Sequence, residues 1–282
     1  MINAILNYQF MRNAVTAGIL ASIVCGMIGV IIVEKKLVMM SGGIAHTAYG
    51  GVGLGYLLGF EPIIGAFLFA VCAAFGIGYI NRKGGARSDI IIGLFWSLGM
   101  ALGILFIALM PGYPPDLNSY LFGNILSVTK SDLRLTAAAT AFIAIIVILF
   151  YHHWKAYLFD EQFASIIGVQ TTFMEYLLLI LVAMTVVVLI RVVGIILVLA
   201  LLTAPAATAG LLSNQLQKRM LYAVLLGSIF CIAGLYFSYE LNIASGAVIV
   251  ILSVSCYFLT YTFQSIRAKW ERHHMAGAAK QS

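Results

Sequence analysis

His46 is the residue of this sequence best placed to do chemistry. It lies near the middle of an apolar stretch, VMMSGGIAHTAYGGVGLGYLLG at 38–59, which is long enough to cross a bilayer. An ionisable side chain at membrane depth is costly, so it usually faces a cavity or a partner and marks a pathway. Imidazole is also a common ligand of divalent transition metals. We interpret His46 as a pathway residue that binds a cation; a hydrogen-bonded histidine that only packs is the alternative.

Small side chains surround this histidine if the stretch is helical. Spacings of three and four place on one face the residues Met39, Gly42, Gly43, His46, Gly50 and Gly53. Small residues let a neighbouring backbone approach closely. The prediction is a pathway lined by His46, Gly42, Gly43 and Gly50. Met39 is a further metal ligand to consider, although methionine in an apolar helix is more often packing.

The composition places these residues in a membrane protein. Of the 282 residues, 62% are hydrophobic and 9% are charged, whereas a soluble domain is about 25% charged. The surplus of six positive charges lies in short loops, a pattern that orients a membrane protein and does not indicate nucleic-acid binding. The sequence has no GxxxxGKS or GxxxxGKT loop, no HExxH segment and no Ser, His and Asp arrangement, so we predict neither an enzyme nor a bound cofactor.

Apolar runs of about 20 residues predict membrane-spanning helices. Candidate spans lie near 13–33, 38–59, 62–80, 90–110, 135–151, 174–190, 192–212, 221–238 and 243–263. The expected fold is an all-α polytopic integral membrane protein with eight to nine transmembrane helices, since the glycines of 42–59 would also suit a broken, partial helix. Arg191 and Gly194 divide one long run into two helices joined by a tight outer turn.

Basic residues predict the orientation. If the amino terminus is outside, twelve lysines and arginines fall in inner loops and the tail, and four fall outside. The positive-inside rule therefore favours an outer amino terminus and a cytoplasmic carboxyl terminus. The predicted organisation is an outer segment at 1–12, a transmembrane domain at 13–263 and a cytoplasmic tail at 264–282.

One inner loop predicts a docking helix. Asp160 can cap a short helix and Gly168 can end it. Its apolar side chains fall on one side, and they are Phe163, Ile166 and Ile167. Such a helix offers an apolar face to a groove in a soluble partner.

The outer loop at 111–126 opens with turn residues and then becomes apolar without being long enough to span. We expect a short outer or re-entrant helix at 116–126 that helps to close a cavity. The outer acidic residues Asp116, Asp132 and Glu240 could receive a cation near the entrance, although such residues are more often simply solvated.

Pro205 removes a helical hydrogen bond within the apolar segment at 191–213, and Thr203 and Thr208 can satisfy the groups it frees. Discontinuous helices recur at transport sites. A simple kink is an equally good interpretation.

Taken together, these segments resemble the membrane subunit of ABC-type metal importers, the zinc and manganese permease family. Five pieces match in the family's order, and they are MSGGIAHTAYGGVGLGYLLG at 40–59, DLNSYLFGNILSVTKSDL at 116–133, FDEQFASIIGV at 159–169, VGIILVLALLTAPAATA at 193–209 and LNIASGAVIVIL at 241–252. The resemblance covers nearly the whole chain.

The resemblance implies a homodimeric type II importer permease, similar to the cobalamin permeases, in a prokaryotic inner membrane. Its expected partners are ABC ATP-binding subunits that hold the ATP, and an extracytoplasmic metal-binding protein. Residues 160–168, including Glu161, would form the coupling helix. The family motif has an acidic residue one helical turn before the histidine, where this chain has Gly42.

The leading hypothesis is a permease subunit for a divalent ion of zinc, manganese or iron. The missing carboxylate at Gly42 also motivates a permease for a chelated metal or another small solute. An ATP-independent secondary carrier is a third hypothesis, which the docking helix at 160–168 argues against.

Overall fold

A computed structural model of the protein describes residues 7–83, 88–112, 120–121, 123 and 125–278. Its α-helices are α1 Gln9–Glu34, α2 Val38–Leu58, α3 Pro62–Lys83, α4 Ser88–Ala108, α5 Lys130–Leu149, α6 Tyr151–Phe159, α7 Glu161–Ile166, α8 Thr171–Val193, α9 Ile195–Leu212, α10 Leu216–Leu241 and α11 Ser245–Ala278. A short 3-10 helix covers Ile125–Ser127, and the described residues contain no strand.

The long helices coincide with the predicted spans. In the described part of the chain, nine helices have 18 residues or more, and eight of these are long and apolar enough to cross a membrane. The ninth is α2, whose glycines and polar side chains lower its hydropathy. The all-α polytopic membrane fold is confirmed. The option of a broken helix at 42–59 is wrong, because α2 continues to Leu58 and ends at Gly59, which has a positive φ of 72°.

Helix α2 is held by close backbone contacts with α3 and α4. A Cβ added to Gly51 would lie 2.0 Å from the carbonyl oxygen of Gly65 on α3, and one on Gly53 would lie 2.6 Å from that of Gly103 on α4. Only glycine permits such an approach, which is how membrane helices gain packing area without a hydrophobic driving force between them. As a result every residue from 40 to 53 is buried, so α2 has no open face in this structure.

The remaining long helices complete a single bundle whose two ends can be told apart by ion pairs. At one end, here the Lys35 end, Lys35 pairs with Glu161, and Arg82 pairs with Glu175. At the other, the Arg191 end, Arg191 pairs with Glu61. The turn between α8 and α9 is the single residue Gly194, with φ 78°, which confirms a tight connection after Arg191.

The described chain begins and finishes at opposite ends of the bundle. Near the start of α1, Asn13 Nδ2 donates to the Val128 carbonyl at 3.0 Å, beside Arg191. Late in α11, Gln264 Nε2 donates to the Leu211 carbonyl at 2.6 Å, near the Lys35 end. Helix α11 continues without a break through Ala278, so the predicted boundary at 263/264 falls inside a helix.

Candidate functional site

The imidazole of His46 is held by its own helix and by one neighbour. His46 Nδ1 lies 2.9 Å from the Gly42 carbonyl oxygen, and the ring stacks on Trp96 of α4 with centroids 3.8 Å apart and planes inclined by 21°. A carbonyl oxygen only accepts hydrogen bonds, so this contact assigns the proton to Nδ1. Nε2 then carries the free lone pair and is the ring atom that could bind a cation, and the Nδ1 bond fixes its direction.

Trp96 occupies the space beside Gly42. A Cβ added to Gly42 would lie 2.8 Å from Trp96 Cζ3, so a side chain at 42 would collide with the indole. Trp96 is therefore the residue that fills the position next to His46 where a carboxylate on α2 would extend. Sequence reasoning missed it, since a lone tryptophan in an apolar run carries no signal of what it faces.

The other predicted lining residues are packing positions. A Cβ on Gly43 would lie 2.9 Å from Ile92, and one on Gly50 would lie 2.8 Å from the Gly99 carbonyl oxygen. Both glycines thus admit α4. A role for Gly42, Gly43 and Gly50 in gating stays a prediction.

Met39 is not beside His46. It is 49% exposed in the first turn of α2, whereas His46 is 8% exposed. Seven residues of helix separate the two backbones by about 10 Å. Across the described ranges, no group of three or more His, Cys, Asp or Glu side chains is placed to hold a metal ion. A cation at His46 would therefore need ligands other than a cluster of these side chains. The role of Met39 as a metal ligand stays a prediction.

The carboxylates at the Arg191 end already have cationic or hydrogen-bonding partners. Asp132 forms a capping box with Thr129 at the start of α5 and lies 3.4 Å from Arg191 Nε. Arg191 also contacts Glu61 at 2.8 Å. Asp132 is thus the capping-box partner of the N-cap residue Thr129 and an ion-pair partner of Arg191, not a simply solvated residue. The predicted gate residue Asp116 lies outside the described residues, as does most of 116–126.

Pro205 lies buried within a continuous helix. Helix α9 runs unbroken from Ile195 to Leu212, so the discontinuous alternative is wrong and Pro205 is accommodated inside the helix. Thr203 and Thr208 donate to the carbonyls of Leu199 and Ala204. Neither hydroxyl bonds to Leu201, whose carbonyl is the one that loses an i+4 donor to proline. A pathway role for Pro205 stays a prediction.

The short helix α7 has the ends that the sequence predicts. Asp160 Oδ1 accepts from the Phe163 backbone N–H at 2.9 Å, and Gly168 leaves the segment at φ +88°. Ala164 anchors the helix with 0% exposure. Large apolar side chains project outward, with exposures of 85% at Phe159, 50% at Phe163, 82% at Ile166 and 53% at Ile167. A cluster of this kind marks an interaction surface.

Beside α7, a polar network joins four helices at the Lys35 end. Lys35 Nζ lies 3.1 Å from Glu161 and 3.6 Å from the centroid of the Tyr157 ring. Burial and the nearby carboxylate of Glu175 raise the pKa of Tyr157 well above its ordinary value. The phenol therefore stays neutral and serves as a cation–π surface.

Glu175 belongs to the same network. Read from the sequence, it would only favour the dipole at the start of a helix. In the structure it is 5% exposed and accepts from Arg82 at 2.8 Å and from Asn81 at 2.9 Å. The sequence gives no sign of this pairing, because the partners are 93 and 94 residues away.

A polytopic helical bundle with a buried histidine, and with a short capped helix whose apolar side chains are exposed at one end, fits a membrane transport subunit rather than an enzyme. The chain belongs to the ABC 3 transport family, which it matches over residues 7–264.

Individual relatives match over almost their full length. An uncharacterized membrane protein of Synechocystis sp. is 42% identical, covering 92% of each chain. The manganese transport system membrane protein MntC of Halalkalibacterium halodurans is 36% identical, covering 98% of this chain and 95% of its own. Among solved structures, PsaBC from Streptococcus pneumoniae in complex with Fab has a TM-score of 0.84 at 33% identity, covering 92% of this chain and 94% of the other.

Proposed function

We propose that this protein is the permease subunit of an ATP-driven importer for a divalent transition-metal ion, with manganese ahead of zinc and iron. One observation carries the proposal: the chain belongs to a transport family and is 36% identical, over nearly its whole length, to a protein named for manganese transport. The histidine that is buried in the most enclosed part of α2 supplies a metal-binding atom, Nε2, at the middle of a spanning helix.

The permease does no ATP chemistry in this scheme. Its basic Lys35 end faces the cytoplasm, as the positive-inside rule requires. ATP-binding subunits dock on the exposed face of α7, which acts as the coupling helix with Asp160 as its cap. Phe163, Ile166 and Ile167 supply the apolar contact.

Metal passes between two copies of the chain in this proposal. Within one copy α2 is buried from 40 to 53, so the route must open by movement of α2 and its neighbours. An extracytoplasmic binding protein delivers the ion at the Arg191 end. A transported ion shifts such an equilibrium only through different affinities for the two states, and His46 would provide part of that difference.

Uptake into proteoliposomes tests the function. The permease, its ATP-binding subunits and the binding protein are reconstituted, and uptake of radioactive manganese is followed with ATP and with a non-hydrolysable analogue. The expected result is uptake with ATP alone. His152→Ala is the matched histidine control, because His152 is an exposed residue of α6, whereas His46 is buried in α2.

Import of a chelated metal is the second candidate. Position 42 is glycine, so the site has no carboxylate there. Trp96 fills the adjacent space and gives the site one flat aromatic face. Competition between free manganese and a manganese chelate separates the two functions. If the chelate inhibits uptake of radioactive manganese more strongly than free manganese does at equal total metal, import of a chelated metal is favoured.

A further inference from the structure

The connection between α1 and α2 is three residues long and bent. Lys35 caps the end of α1, Lys36 adopts a left-handed conformation with φ +59°, and the Leu37 N–H returns to the Ile32 carbonyl at 2.9 Å. Helix α2 begins at the next residue, Val38. We expect a connection this short and this strongly hydrogen-bonded to pass a displacement on to α2.

Lys35 is the point where this connection touches the docking segment, which consists of α6 and α7. Its side chain is 16% exposed, lies 3.1 Å from Glu161 at the start of α7, and covers the ring of Tyr157 on α6 at 3.6 Å. One side chain therefore holds both helices of the docking segment. The Glu161 side chain is 45% exposed, so solvent screens part of the attraction in this ion pair.

The charged side chains around Lys35 and Glu161 are balanced in number. Lys35 and Glu161 line a cavity of about 440 Å³ that contains three cationic and three anionic side chains, namely Lys35, Lys36, Arg82, Asp89, Glu161 and Glu175. The Arg82–Glu175 pair joins α3 to α8 and includes no residue of α7. Among the ion pairs that the described residues form in this cavity, the Lys35–Glu161 pair is the one that connects α7 to the residues preceding α2.

We propose that Lys35 and Glu161 form the linkage that passes movement of α7 to α2, and thereby to His46. This inference rests on the proposed function, in which the ATP-binding subunits move α7. Because α2 packs on α3 and α4 through glycine backbone contacts, a displacement at Lys35 moves α2 as a rigid element sliding with its neighbours. Lys35 and Glu161 are positioning residues and do not touch the ion.

The test measures manganese taken up per ATP hydrolysed in the complete reconstituted complex. Lys35→Gln and Glu161→Gln should each lower this ratio about three- to fivefold. In Lys35→Gln, whose residue lies outside the docking helix, ATP hydrolysis and co-purification of the ATP-binding subunits should persist. The double variant should lose no more than either single variant, because both remove one shared contact. Lys35→Arg retains the charge and should keep the ratio near the wild-type value.

Arg219→Gln is the matched control. It breaks the ion pair between Arg219 and Glu34, the last residue of α1, at the same end of the bundle, and neither member of this pair belongs to α7. An unchanged ratio in Lys35→Gln, or additive losses in the double variant, would overturn the linkage. So would loss of the ATP-binding subunits from Glu161→Gln alone, because the pair would then serve docking.

A second readout separates this inference from the proposed function. A cysteine placed at Met39, in a background without the natural cysteines, should change its reactivity toward a soluble thiol reagent when ATP and vanadate are added. Lys35→Gln should reduce that change. If the wild-type complex moves no metal, the proposed function fails; if position 39 responds equally in wild type and Lys35→Gln, the linkage fails.

Discussion

The imidazole of His46 and the indole of Trp96 stack face to face, 3.8 Å apart at their centroids. The stack joins α2 to α4 at the depth where α2 is fully buried. It also occupies the space next to Gly42, so the local chemistry is one imidazole against an aromatic face, without a carboxylate at position 42.

Gly42→Ala should destabilise the protein through the contact with Trp96. The added Cβ would lie 2.8 Å from Cζ3, and overpacking of this kind costs about 1–3 kcal/mol. We expect a lower midpoint of thermal unfolding in detergent. Gly93→Ala is the matched control, because a Cβ at Gly93 on α4 meets nothing within 4 Å.

Shortening the indole should relieve the collision at position 42. The double variant Gly42→Ala/Trp96→Leu is expected to lose less stability than the sum of the two single variants, since the residues are in direct contact. Strictly additive losses would show that the indole does not limit the side chain at 42.

The cap of α7 should control docking of the ATP-binding subunits. Asp160→Ala removes the acceptor for the Phe163 N–H and costs about 1 kcal/mol of helix stability. Fewer ATP-binding subunits should then co-purify with the permease. Asp160→Asn keeps a capping side chain and should retain them, so equal loss in both variants would contradict a capping role.

The buried carboxylate of Glu175 should make Arg82 important for stability. Arg82→Gln leaves Glu175, 5% exposed, without its cation, and we expect a loss of about 1–3 kcal/mol in the free energy of unfolding. Arg191→Gln breaks pairs at the exposed opposite end and should cost about 0–1 kcal/mol. Equal losses would argue against a special role for burial at Glu175.

Removing both charges of the Arg82–Glu175 pair should restore part of the stability that Arg82→Gln loses. Arg82→Gln/Glu175→Gln removes both charges together and leaves two amides that can hydrogen-bond. Its stability should exceed that of Arg82→Gln alone, because the cost lies in the unpaired buried charge. Chemical unfolding in a fixed detergent measures the free energy of unfolding of Arg82→Gln, Arg191→Gln and the double variant.

The sequence predicts local features of this fold well. Runs of apolar residues locate the long helices, and the cap at Asp160 and the positive φ of Gly168 depend only on neighbours in the chain. Length and hydropathy therefore suffice for spans, and side-chain chemistry suffices for a six-residue helix.

What the sequence does not predict are the contacts between distant residues. The faces of α2 follow from helical spacing, but that Trp96 fills one of them depends on how α4 packs. Likewise Glu175 has no local partner, and Lys35 meets Glu161 across 126 residues. These helices are apolar on nearly all faces. Their sequences therefore do not indicate which face of one helix packs against which face of another.

The most direct measurement is ATP-dependent manganese uptake by the reconstituted complex carrying His46→Ala, beside wild type and His152→Ala. We predict that wild type and His152→Ala accumulate manganese when ATP is present. His46→Ala should hydrolyse ATP but accumulate about tenfold less manganese, the loss expected of about 1.4 kcal/mol of ion binding. Undiminished uptake of manganese and of every other divalent ion by His46→Ala would contradict it.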